Sequence, residues 1–142
     1  LESLTTSTSL PASVNSISIL LTDDFEIREL NKNYRQLDKT TDVLSFSMLE
    51  TFGEDYQGSD LGDIVISIPK AYRQAKRYKV SDSEEVLRLL IHGMLHLFGY
   101  DHVAVSTKKA KQMFDLQNLL LKKNLSDLYR SRKGISCSEI AV

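Results

Sequence analysis

The chain has three histidines, and all of them fall in one short stretch: His92, His96 and His102. Residues four apart on a helix are separated by about one turn, so His92 and His96 project from the same face. Gly99 stops a helix there, as glycine does at a left-handed cap, and the chain can turn back to present His102. Three neutral nitrogen donors with an open fourth position describe a catalytic zinc site rather than a closed structural one. The alternative is three core or surface histidines that merely cluster; the spacing and the glycine break favour a metal. The expected cofactor is one Zn²⁺ per chain, held by His92, His96 and His102.

Within that window the chain reads H-G-x-x-H-x-x-G-x-x-H. This matches the metzincin peptidase frame, H-E-x-x-H-x-x-G-x-x-H, at every position but one. The glutamate that takes a proton from zinc-bound water in such peptidases is replaced by Gly93. A glycine cannot do that work, so a metallopeptidase is a secondary reading.

The full run HGMLHLFGYDH resembles the signature of the YbeY family of bacterial rRNA-maturation endoribonucleases. Two further segments agree with it. Leu30-Asn31-Lys32-Asn33-Tyr34-Arg35, followed by Thr41-Asp42-Val43-Leu44-Ser45-Phe46, resembles the family's N-x-x-Y-R and T-D-V-L-S-F blocks. Leu61-Gly62-Asp63-Ile64-Val65-Ile66-Ser67 resembles its L-G-D-I-V-I-S strand. The match runs in order from about Ile17 to a helix ending near Lys123. Where it begins, the family usually has a further strand and helix, and Ser47 stands where the family often has Pro.

The resemblance implies a zincin-like α+β fold and a metal-dependent, single-strand-specific endoribonuclease, a hydrolase. Its implied roles are maturation of the small-subunit rRNA 3′ end and ribosome quality control. It implies single-stranded RNA or rRNA as substrate and ribosomal or small-subunit proteins as partners. A monomer in the cytoplasm, away from membranes, is the expectation. A ribosome-assembly factor with a structural metal is the non-enzymatic alternative.

Catalysis is assigned to Arg35, His92 and His96. A guanidinium at position 35 can hold a phosphate bidentately and offset charge developing on phosphorus. By itself it reads rather as a solvated Arg capping a helix C-terminus; the resemblance reverses that preference. Asp42 and Asp63 either orient a histidine from behind or cap a turn. Asp101 is a turn residue, a partner of His102 or a proton shuttle. Whether water or the RNA 2′-OH attacks phosphorus is open at this level.

These groups need elements to place them. Ile17 to Leu21 is a β-branched and aliphatic run that predicts a strand. One of Thr22, Asp23 and Asp24 caps a helix to about Tyr34, with Ile27, Leu30 and Tyr34 facing the core. Val43 to Phe46 predicts a second strand and Leu61 to Ile68 a third. Residues 50–63 carry five acids and no base, with three glycines, and predict a flexible acidic loop. Pro69 suits a first helical position. Ser81 and Glu84 form a capping box for a helix over Asp82 to Phe98, apolar on most sides and therefore central. Ser106 or Thr107 caps another helix to about Lys123, with Ala110, Met113, Leu116 or Gln117, and Leu120 on its apolar stripe. Strands and helices interleave without a regular βαβ rhythm, so a mixed α+β domain is expected. Its boundaries are a loose lead-in at 1–16, the catalytic domain at 17–123 and a tail at 124–142.

The chain has 142 residues, enough for one domain with one core. Lys and Arg number 18 and Asp and Glu 19, for a net charge of −1. That excludes a uniformly basic coat for nucleic acid but not a local basic face. Residues 70–79 hold five bases and no acid, and residues 104–133 hold eight bases against two acids. Arg73, Lys76 and Arg77 are the expected RNA-backbone contacts. Tyr72 and Tyr78 are either stacking platforms or core, with core favoured for at least one. The single cysteine, Cys137, forms no internal disulfide, which suits a reducing compartment. No apolar run spans a bilayer, and no basic n-region precedes an apolar stretch near the start.

Overall fold

A computed structural model of the chain describes residues 16–100 and 107–134. Three strands form one mixed sheet in the order β1-β3-β2. β1 (Ser16–Thr22) runs parallel to β3 (Asp60–Ser67), and β2 (Val43–Ser47) runs antiparallel to it. β3 is thus central, and its burial is nearly continuous, as a strand covered on both faces requires.

The helix starts follow local chemistry. The Asp23 side chain accepts from the Glu26 N–H at the head of α1 (Asp24–Arg35). Ser47 does the same for α2 (Met48–Phe52), and Ser67 for α3 (Ile68–Tyr78), where Pro69 sits in the first turn. Ser81 accepts from the Glu84 N–H at the head of α4 (Asp82–Leu97). Gly99, with φ of 92°, takes the left-handed conformation that ends this helix. α5 (Thr107–Gly134) continues past the expected end at Lys123.

Period-two alternation along β3 divides the core. Ile64 and Ile66 meet α4 and α5 through Leu89, Leu95, Met113 and Leu120. Val65 faces the other way, against Ile27 of α1 and Leu44 of β2. α4 packs on α3, α5, β2 and β3, so the histidine helix is central, as its apolar sequence predicts.

Three expectations change here. Tyr34 does not join the core: it is 65% exposed and meets only the edge of the Phe46 ring, 5.5 Å away. The helical stripe of α1 is narrower than its spacing suggests, because Ile27 and Leu30 alone fill the contact with a small sheet. The acidic stretch is not all loop, since α2 takes its first residues and β3 its last. Tyr72 and Tyr78 are both exposed; Ala71 and Ala75 supply the buried face of α3. No helix among the described residues is long and apolar enough to cross a membrane.

Candidate metal and catalytic site

His92 and His96 lie on one face of α4, as their spacing requires. Their Nε2 atoms are 3.0 Å apart, and their ring centroids are separated by 4.6 Å at 75°. Both rings are half-buried. The two rings thus bring the same nitrogen of each within hydrogen-bonding distance of the other. Donors at the usual zinc–nitrogen distance and a tetrahedral angle stand about 3.3 Å from one another. An opening of a few tenths of an ångström therefore lets this pair take an ion. Among the described residues no three His, Cys, Asp or Glu side chains gather as a metal cluster. The expected third ligand, His102, and its neighbour Asp101 lie outside the described residues.

Gly93 follows His92 and is fully packed. A β-carbon there would stand 2.9 Å from Ile64 Cγ2 and 3.3 Å from two further Ile64 carbons. Ile64 is completely buried on the central strand and cannot swing away. The position that carries the general base in a metzincin is here a point of close packing between α4 and β3.

Behind His92, its Nδ1 is 2.6 Å from Gln117 Oε1 on α5. Gln117 is only 4% exposed and lies between Met113 and Leu120 on the buried face of its helix. Sequence reasoning places Gln117 only as a stripe residue. The available signal was a polar amide at a position where the pattern asks for an apolar side chain.

Arg35 ends α1 and reaches the free edge of β2. Its Nη2 donates to the Ser45 carbonyl at 2.6 Å and lies 3.5 Å from the Glu50 carboxylate. Its guanidinium carbon stands 5.3 Å from the Phe46 ring centre. It is thus tied to β2 while its side chain stays 40% exposed. Two residues further along β2, the Ser47 hydroxyl donates to the carbonyl of Leu97, next to His96. A single short strand thus joins Arg35 to the C-terminal end of the histidine helix.

Asp42 and Asp63 do not reach the histidines. Asp42 accepts from the Val43 N–H at 2.8 Å and from Gln74 Nε2 at 3.2 Å, so its role is at the turn into β2. Asp63 shares the Val65 face of β3, opposite α4, and lines a depression with Leu30, Tyr34 and Phe46. The alternation of the strand, invisible as to which helix covers which face, put it there.

Gln74 also donates to Glu85, which is 1% exposed and held by Arg88 through three contacts of 2.5 to 3.2 Å. The hydrogen bonds from Arg88 to Glu85 raise the guanidinium's pKa further. This buried cluster ties α3 and the start of β2 to the first turns of the histidine helix.

Of the expected RNA contacts, Lys76 and Arg77 are exposed on α3. Arg73 instead pairs with Asp24 at 2.7 Å. Asp24 also accepts from the buried Ser67 hydroxyl at 2.7 Å. That hydrogen bond first, and Arg73 after it, hold the Asp24 carboxyl below the usual carboxylate range against partial desolvation.

This geometry stands alongside clear similarity to known proteins. The family model described as Endoribonuclease YbeY matches residues 1–124. The chain belongs to the YbeY family. The match begins ahead of Ile17, where the resemblance by motif starts. A YbeY relative from Sulfurihydrogenibium sp. (strain YO3AOP1), named an endoribonuclease, is 52% identical over 112 residues, covering 79% of this chain and 72% of its own length. The Aquifex aeolicus YbeY endoribonuclease is 51% identical over 107 residues, covering 75% of this chain and 69% of its own. A solution structure from Thermotoga maritima is similar at a TM-score of 0.58 and 30% identity, over 85% of this chain and 75% of that one. The α+β architecture described above is thus shared with a solved protein.

Proposed function

We propose that this chain is a metal-dependent endoribonuclease that cuts single-stranded RNA, with rRNA of the small subunit, near its 3′ end, as the substrate. One observation carries the reading: in a chain of the YbeY family, the His92 and His96 Nε2 atoms stand 3.0 Å apart on one face of α4. His102 is the third ligand, and Zn²⁺ suits an all-imidazole set with an open position. Such an ion, when bound, draws charge from a phosphate oxygen and lowers the pKa of a water molecule.

The chain's own residues do the rest. α4 holds the two rings rigidly because its other sides are packed. Arg35 receives the phosphate. Among the described residues its bonds run through Nη2, which leaves the Nε–H and the Nη1 hydrogens as separate donors to phosphate oxygens. Lys76 and Arg77 on α3 add salt-dependent attraction for the RNA backbone.

The peptidase alternative loses ground on the Gly93–Ile64 contact, because the position of its general base has no room for a side chain. An assembly factor with a structural metal predicts RNA or ribosome binding that survives loss of the ion. The test is cleavage of single-stranded RNA by metal-stripped, metal-restored, His96→Ala and Arg35→Ala protein. Cleavage is expected only in the metal-restored wild type at full rate. Intact RNA after incubation with stoichiometrically loaded protein would sink the nuclease reading. A substrate with a 2′-deoxy sugar at the scissile nucleotide separates water attack from 2′-OH attack.

A further inference from the structure

Gln117 is a buried amide on an otherwise apolar stripe, and the reading of His92 as a metal ligand gives it a task. An unpaired buried amide costs free energy, so such a group is retained only with a partner. Its partner is the His92 ring, at 2.6 Å from Nδ1. An amide oxygen only accepts, so Nδ1 carries the proton and donates. A neutral imidazole has one N–H, which leaves the lone pair on Nε2. Nε2 is the nitrogen that faces His96.

We infer that Gln117 is a positioning residue, which fixes His92 in the Nδ1–H tautomer and the rotamer that present Nε2 to the ion. It does so across a separation of 25 residues, from the neighbouring helix α5. The contact is also enclosed: Met113 and Leu120 on either side are 2% and 3% exposed, and Gln117 itself is 4% exposed. Removing such a partner behind a metal-binding histidine lowers metal affinity about 10- to 100-fold.

This inference rests on the proposed metal site, and the test separates the two. Affinity for Co²⁺ is measured by its visible absorption in wild type, Gln117→Leu, Gln117→Glu and His92→Ala, with thermal melting of each. Leucine matches the apolar stripe, and glutamate keeps an acceptor for the Nδ1–H. The expected result is an affinity about 10- to 100-fold weaker for Gln117→Leu and within a few-fold of wild type for Gln117→Glu, with similar melting. Wild-type affinity in Gln117→Leu overturns the inference and leaves the metal site standing. Wild-type affinity in His92→Ala overturns the metal site and the inference with it. As a second measurement, ¹⁵N chemical shifts of the neutral His92 ring in metal-free wild type report the tautomer. A protonated Nδ1 is expected, and a protonated Nε2 overturns the inference even if Gln117→Leu fails to fold.

Discussion

Gly93 lies against Ile64 so closely that a β-carbon at 93 would stand 2.9 Å from Ile64 Cγ2. Both residues are buried, one on the histidine helix and one on the central strand. Gly93→Ala is expected to destabilise the fold by about 1–3 kcal/mol despite alanine's better helix propensity, because the added carbon must push helix and strand apart. Urea denaturation checks this. Gly93→Glu restores the metzincin pattern on paper, yet is expected to cost more stability and to yield no peptide hydrolysis.

Among the described residues, Arg35 is anchored to Ser45 and Glu50 through Nη2. Arg35→Ala is expected to lower RNA cleavage by about 10²-fold or more under single-turnover conditions, the scale seen when a preorganised donor to developing charge is lost. Melting is expected to change little, because the side chain is 40% exposed. Arg35→Lys is expected to recover little activity, since a point charge cannot replace a planar fork. A lysine variant at wild-type rate would count against a bidentate role.

Arg88 holds Glu85 inside the protein. Arg88→Leu leaves that carboxylate buried with only Gln74 beside it, and is expected to cost about 3 kcal/mol. The double variant Glu85→Gln/Arg88→Leu is expected to lose less than the sum of the two single losses, because the charge that needs a partner is gone. Denaturation of the four proteins of this cycle measures the coupling.

Asp24 gives a pH dependence of definite sign. Its folded-state pKa lies below the unfolded value of about 3.9. Its contribution to stability is therefore complete above that value and is lost as pH falls through the lower, folded one. Asp24→Asn is expected to be less stable than wild type by about 1 kcal/mol at neutral pH. The difference should begin to shrink below about pH 4, where the unfolded carboxyl takes up its proton, and vanish only as the pH falls through the lower, folded value. A gap that stays constant from pH 7 to pH 2 would mean the carboxylate charge is not what Ser67 and Arg73 hold.

Much of the site is local and was legible without a structure. Four residues on a helix place two rings on one face whatever surrounds them. The caps at Asp23 and Ser81 need only a hydroxyl or carboxylate before an N–H three residues on. The positive φ of Gly99 follows from the one residue type that adopts it without strain. The family motifs likewise lie within single elements.

The sequence by itself therefore determined the histidine pair, the elements that carry it and the family. Tertiary structure decided what stands behind and across from them. Gln117 meets His92 only because α5 packs on α4, and no local rule fixes how two helices distant in sequence are turned toward each other. Asp63 was a candidate until the sheet showed which face α4 covers, and Asp42 until its bonds to the Val43 N–H and to Gln74 put it at the turn into β2. Strand alternation says that neighbours point oppositely, but packing alone says which side holds the site. Gly93, read from sequence as a missing base, is in three dimensions the place where helix and strand touch.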